Sequence, residues 1–300
     1  MILKDVLRAV RTRQWAKNAL LFGGFIFAGK LRGGFFAAGG LRVLMAFACF
    51  CALSGAAYLI NDWLDIERDR QHPIKRHRPL AAGRISKQQA LALLLTLLGA
   101  ALVLALFVTI ASGSWGFAGA AAFYFAQTLA YSLRLKHEVI IDVLTVAAGF
   151  LVRVVAGCLA VPVFISPWIL FCTFNLALFV ALNKRRAELL EVGETGTTRK
   201  VLAGYSVPML DTFIAVAAGL TIISYSLYTF SAPSVAGHGA FPSFMLSIPF
   251  VVYGVFRFLV LAHSSPVGGE PEQMLRDRPM LVNAFLWAVL VSVLTLLPPL

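Results

Sequence analysis

The chain has 300 residues, 59% of them hydrophobic and only 13% charged, where a soluble domain carries roughly 25% charged residues. A mean hydropathy of +0.82 excludes a soluble globular enzyme and indicates a polytopic membrane protein. The net charge of +12 is no nucleic-acid footprint, because the basic residues fall in short segments between apolar stretches rather than along one stripe.

A membrane span needs about 20 mostly apolar residues. The pattern predicts an all-α, polytopic membrane helical bundle of about nine transmembrane helices, in one domain covering residues 1–300. The spans fall near 14–30, 41–61, 89–111, 115–133, 139–161, 166–183, 208–230, 242–262 and 280–297. The first is the weakest, its apolar core running only from Ala19 to Gly29. It resembles a signal peptide, but the long basic region up to Lys17 favours a retained helix. Ser112-Gly113-Ser114 turns between the third and fourth spans, and the Gly/Pro/Ser segment Ser231–His238 divides the seventh from the eighth.

Lys and Arg alternate between connections: every other one carries five (Lys4 to Lys17), seven (Arg68 to Lys87), two (Arg134, Lys136), five (Lys184 to Lys200) and two (Arg276, Arg278), against three in all (Lys30, Arg32, Arg42) on the other side. That bias predicts a cytoplasmic N-terminus and an outside C-terminus. The layout implies a multi-pass protein of the inner (plasma) membrane. The acidic residues fall on the same side as the bases, so the active region faces the cytoplasm. The four cysteines lie in apolar spans without a CxxC pair and read as small buried hydrophobes.

At the N-terminus, RTRQWAKN offers Trp15 as an interfacial anchor and Lys17 and Asn18 at the mouth of the first span. The strongest signal follows the second span, where NDWLDIERD packs four carboxylates into eight residues. Asp62, Asp65 and Asp69 are spaced i, i+3, i+7, so a continuing helix puts them on one face, with Glu67 elsewhere. Carboxylates at a membrane boundary are costly unless paired, solvated or metal-bound. Hard-oxygen Mg²⁺ suits them, usually with one or two carboxylates plus substrate phosphates. Asn61 precedes them, and Arg70, Lys75, Arg76 and Arg78 follow, as a diphosphate would require. Pro73, Pro79 and Gly83 preclude one long helix there.

The second element, YSLRLKHEVIIDVLTVAAGFLVRVVAG, begins at Tyr131. It supplies Lys136 at the membrane surface, Glu138 and Asp142 at i, i+4 on one helix face, and Arg153 three turns further on. An intramembrane Arg faces the bundle interior with a partner or an anionic ligand. The third element, NKRRAEL, places Lys184, Arg185 and Glu188 at helical spacing after the sixth span. A transporter or flippase would show inverted repeats and charges near the midplane; neither is evident.

The motif Asn61-Asp62-x-x-Asp65-x-x-x-Asp69, the later RPLAAGRIS and the nine-span layout resemble the UbiA-type superfamily of intramembrane prenyltransferases. Members that use a prenyl diphosphate carry a second DxxxD between spans six and seven, where this chain has the basic NKRRAEL. That feature, with RQWAKN, YSLRLKH and GGEPEQMLRDRP (Gly268 to Pro279), is similar to the decaprenyl-phosphate phosphoribosyltransferase branch.

The resemblance implies a Mg²⁺-dependent enzyme that transfers 5-phosphoribose from phosphoribosyl pyrophosphate (PRPP) to a polyprenyl phosphate, for cell-wall arabinan precursors. Asp62, Asp65 and Asp69 would hold the metal. Lys136, Arg153, Lys184, Arg185 and Lys17 would hold phosphates. Asn61, Arg70, Lys75, Arg78 and Tyr131 would line the substrate. Asp142 or Glu188 would bind ribose hydroxyls or orient a base; the residues alone leave both roles open. The partners are PRPP, the polyprenyl phosphate and membrane lipid, with an oligomer left open. The rival reading is a prenyltransferase that moves a prenyl group from a prenyl diphosphate to an aromatic or small polar acceptor.

Overall fold

The computed structural model describes residues 3–27, 34–35, 39–71, 75–195, 200–231, 243–264 and 277–296. Within them are only helices and their connections. The α-helices are α1 Leu3–Ala9, α2 Leu21–Phe27, α3 Gly40–Leu64, α4 Ile66–Gln71, α5 Lys87–Ser112, α6 Gly116–Leu133, α7 Ile141–Ala160, α8 Pro167–Thr195, α9 Val207–Ser231, α10 Ile248–Ser264 and α11 Arg278–Leu296. Among the described residues, six helical stretches are long and apolar enough to cross a membrane: Gly40–Leu64, Lys87–Ser112, Ile141–Ala160, Pro167–Glu191, Val207–Phe230 and Phe244–Ser264. Leu95, Leu102, Val103 and Ile110 leave α5 with a broad exposed apolar face, which suits hydrocarbon rather than water.

The ends of these helices follow from local chemistry. Ser86 and Gln89 form a reciprocal capping box that starts α5, and Gly113 (φ 70°) ends it in the left-handed conformation. Pro167 opens α8, in the first turn, where an N–H has no intrahelical partner to lose. At α11, Asp277 accepts the N–H of Met280 at 2.9 Å, an N-cap contact. It also receives both arms of Arg257, at 3.1 and 2.7 Å. That guanidinium holds the Asp277 carboxyl below its usual range.

The first expected span differs. Residues 12–20 form a 3₁₀ helix, entered through Arg11 at φ 52°, and the described part of the α-helix that follows is Leu21–Phe27. Arg13, Gln14, Lys17 and Asn18 interrupt the apolar sequence at the start of this segment. The expected break at Ser231–His238 and most of Gly268–Pro279 lie outside the described residues.

The chain divides into two compact units. The first comprises Met1–Ile26, Gly33–Leu133 and Val152–Phe164; the second comprises Phe27–Arg32, Arg134–Leu151 and Ile165–Leu300. Helix α7 contributes to both. In the first unit α3 packs on α5 and α6, around a core that includes Phe50, Phe117, Tyr124, Ala156 and Ala160. In the second, α8 packs on α9, and α10 packs on α9 and α11. Phe179, Leu210, Ile214 and Phe258 lie at the centre of that core.

One crossing in the first unit is set by glycine. A Cβ on Gly157 of α7 would lie 2.0 Å from the carbonyl oxygen of Leu21. Backbone cannot give way as a flexible side chain can, so Gly157→Ala is expected to force the segments apart at a cost of about 1–3 kcal/mol. Thermal unfolding of the purified variant in detergent checks this, with Gly119→Ala, where the added Cβ meets nothing within 4 Å, as the neutral control.

Candidate functional site

The described polar residues gather into separate clusters in the two units. The first is built around the end of α3. The helix does not continue through the acidic motif: Asp65, at φ −97° and ψ 9°, terminates α3, and α4 starts again at Ile66. This corrects the expected continuous helix. Asp62 and Asp69 are nevertheless brought together and are both buried, while Asp65 sits half-buried at the break. Asn61 is half-buried, and its carbonyl accepts the N–H of Asp65.

What joins Asp62 to Asp69 is Arg78. Its Nη1 lies 3.1 Å from Asp62 Oδ1 and 2.7 Å from Asp69 Oδ2. Arg11 adds a second cation to Asp62 Oδ1 at 2.5 Å and lies over the ring of Tyr58, 4.5 Å from its centroid. The loop that carries Arg78 explains how it reaches. Leu80 and Ile85 are buried. Arg84 and Ile85 both donate backbone N–H to the carbonyl of Pro79, and Gly83 takes φ 70°. The RPLAAGRIS motif is thus a tight, anchored loop with an arginine at its head.

Other bases of this region are held locally. Arg70 is exposed; it pairs with Glu67 at 2.9 Å and donates to the carbonyl of Ala81. Arg84 pairs with Asp5. Lys75 is half-buried and Lys17 exposed.

The donor set fits a small hard cation. One cationic nitrogen already touches both carboxylates, so Asp62 and Asp69 converge on a point that a divalent ion could share. Among the described residues no three His, Cys, Asp or Glu side chains are drawn together as metal ligands. The expected trio is therefore a convergent pair plus Asp65.

Deeper in the first unit lies Arg153. Its Nε donates to Asn18 Oδ1 at 2.8 Å, its Nη2 donates to the Tyr124 hydroxyl at 2.7 Å, and its guanidinium carbon lies 4.7 Å from the Tyr124 ring centroid. Asn18 is fully buried and passes the network on to Cys51 and Ser54. The expected interior partner of Arg153 is thus an amide and a phenol. Cys49, Cys51 and Cys158 are buried and Cys172 half-buried, all with free thiols.

The second cluster opens α7. The helix begins at Ile141, so Glu138 lies in the preceding turn rather than on the same helical face as Asp142, a correction to the i, i+4 reading. Asp142 is wholly buried. Its Oδ2 accepts from Arg185 Nε at 2.6 Å and its Oδ1 from the Tyr205 hydroxyl at 2.7 Å. Arg185 also pairs with Glu188, one turn on in α8. Lys184 is exposed, and Tyr131 and Lys136 are half-buried.

The sequence did not single out Tyr205, Tyr124 or the role of Arg11. A tyrosine directly after Gly204 and an arginine three residues beyond Arg8 carry no motif; only their partners distant in sequence give them meaning.

The model of the UbiA prenyltransferase family matches residues 20–257. The decaprenyl-phosphate phosphoribosyltransferase of Mycolicibacterium smegmatis is 33% identical over 295 residues, covering 95% of this chain and 91% of that protein. The enzyme of the same name from Mycobacterium tuberculosis is 32% identical, covering 97% and 94%. In fold, the chain is similar to a UbiA homologue from Archaeoglobus fulgidus bound to GPP and Mg²⁺, with a TM-score of 0.68 at 15% identity, covering 98% of this chain and all of that one.

The second cluster yields a pH dependence. Burial pushes the Tyr205 phenol up, and its hydrogen bond to the Asp142 carboxylate adds to the shift. A group whose folded value is raised contributes stability that is complete below its unfolded value and lost as pH rises. Stability should therefore fall once pH climbs past about 10, the ordinary tyrosine value. Denaturation midpoints of wild type and Tyr205→Phe measured from pH 8 to 11 check this: the variant should lose that part of the alkaline decline.

Proposed function

We propose, from the premise that this chain belongs to the UbiA prenyltransferase family, that it transfers 5-phosphoribose from PRPP to a polyprenyl phosphate and releases pyrophosphate. The observation that carries this reading is the agreement in name among relatives matched over nearly the whole chain. The basic Lys184-Arg185-Arg186, where prenyl-diphosphate users resembling this chain have acids, points the same way. With the reading go nine spans, a cytoplasmic N-terminus, an active region facing the cytoplasm and one transmembrane domain.

In the reaction, an oxygen of the lipid phosphate forms a bond to the anomeric carbon while the bond from that carbon to pyrophosphate breaks, with inversion. The attacking phosphate is anionic at pH 7, so no strong base is needed. Orientation and electrostatics supply the acceleration. Asp62 and Asp69, with Asp65, would hold Mg²⁺. When bound, the ion neutralises charge that develops on the departing pyrophosphate.

Arg78 and Arg11 keep the carboxylates neutralised otherwise, and Arg78 must let go of them for a metal to enter. Released, its guanidinium is suited to a diphosphate oxygen. Lys136, Arg153, Lys184, Arg185 and Lys17 are assigned to the 5-phosphate and the lipid phosphate. Asn61, Arg70, Lys75 and Tyr131 are assigned to the substrate margin and Glu188 to ribose hydroxyls or a base; Asp142, whose two oxygens already take Arg185 and Tyr205, is left to position those groups.

Two experiments test the reading. Membranes containing the protein, incubated with PRPP labelled in the ribose, should move label into the lipid fraction, and Asp62→Ala should abolish that transfer at unchanged protein yield. Label that stays in water while a prenyl diphosphate is consumed would establish the rival prenyltransferase. Separately, Arg78→Gln removes the cation that competes for the acids. It should tighten Mn²⁺ binding to purified protein without donor by about tenfold, read from free Mn²⁺ by electron paramagnetic resonance. Asp62→Asn should weaken the same binding.

A further inference from the structure

The turn before α7 is held in a conformation that its own residues disfavour. Ile140 has φ 70°, and for a β-branched residue the left-handed region is a true outlier. Such strain persists only where surrounding contacts over-determine it, and it concentrates at functional sites. Here the contacts come from one short segment. The N–H of Ile140 donates to the Tyr205 phenolic oxygen at 2.7 Å, and the same phenol donates to Asp142 Oδ1 at 2.7 Å. The preceding residue presses on the same turn, since a Cβ on Gly204 would lie 2.4 Å from Val139 Cγ2. Residues 204 and 205 therefore grip residues 139 and 140 twice, once by close approach and once by a hydroxyl that accepts and donates together.

Beyond the grip stands a chain of hydrogen-bonded charged groups. Asp142 has no exposed surface, and its second oxygen takes the Nε–H of Arg185, a guanidinium that is itself buried and bound to Glu188. Moving the Ile140 turn would move Asp142, the second residue of the helix that follows. Moving Asp142 would release or re-aim Arg185.

We propose that Tyr205 is a positioning residue of the transfer reaction: its hydroxyl holds the left-handed Ile140 turn and so fixes Asp142 and, through it, the guanidinium of Arg185. A glycine at position 140 would serve stability alone better, because it takes positive φ at little steric cost. The inference rests on the reading above, in which Arg185 meets a substrate phosphate.

The test uses the full-length protein in detergent with PRPP and decaprenyl phosphate. Tyr205→Phe removes one oxygen and keeps the ring. It is expected to raise KM for one of the two phosphate substrates by roughly fivefold or more while kcat stays within about twofold. Exchange of the Ile140 amide should quicken in the same variant. Adding Ile140→Gly in the Tyr205→Phe background should bring KM back toward wild type, a rescue that a merely structural tyrosine would not show. Wild-type KM in Tyr205→Phe, or a KM defect that Ile140→Gly leaves untouched, overturns the inference. Arg185→Ala separates the two layers. If that variant binds both substrates normally, the reading of Arg185 fails. If it raises KM while Tyr205→Phe does not, only the positioning role fails. Should Tyr205→Phe prove unstable, the amide exchange and Ile140→Gly rescue are read in Tyr205→His, where a loss of rescue likewise overturns it.

Discussion

Charge removed from water has to be cancelled where it sits, and this requirement organises the polar interior of the chain. Asp62, Asp69, Asp142, Arg153 and Arg185 are all buried among apolar helices. Asp62 is answered by Arg11 and Asp142 by Arg185, both from distant stretches of sequence; Asp69 takes Arg78 from the following loop, and Arg153 is held by the neutral Asn18 amide and Tyr124 hydroxyl. Removing one member of such a pair leaves a stranded ion, which typically costs about 3–5 kcal/mol. The same contacts that make chemistry available therefore tie non-adjacent segments together within each unit.

The two clusters solve the problem differently. Around Asp62 and Asp69 the counter-charge is an arginine at the head of a loop, a cation that can trade places with another cation. Around Asp142 both oxygens are committed, one to a phenol and one to a guanidinium, and the carboxylate acts as a fixed anchor. An exchangeable arrangement suits a ligand that comes and goes with each turnover; a saturated one suits a part that must not move.

Helix positions were largely legible in the chain, because hydropathy and turn residues are local signals. Ser112-Gly113-Ser114 does separate α5 from α6, and Gln88 to Leu133 does hold two helices. The acidic motif and the buried Arg153 were legible for the same reason: charge stands out against apolar sequence. Three things were not. The break at Asp65 is one that no i, i+3, i+7 count contains. The 3₁₀ start of the N-terminal segment needs a left-handed Arg11, and nothing in RTRQ signals one. Tyr205 acquires its role from a contact 65 residues away in sequence, and Tyr124 from one 29 residues away. Long-range partnership is the information that a single sequence hides best.

Arg153 and Gly157 lie one turn apart on α7, and they meet Asn18 and Leu21, one turn apart in the N-terminal segment. A guanidinium that must find its amide and a gap that only hydrogen can fill act like two teeth of a key. Spinning the helix by a single residue, about 100°, would push the guanidinium toward hydrocarbon and drive a side chain into the Leu21 carbonyl. Sliding it by one turn would take the guanidinium off Asn18 and again set a side chain against the Leu21 carbonyl. This stretch of α7 accordingly has one azimuth and one depth beside its neighbour, where an ordinary leucine-lined helix could choose among several.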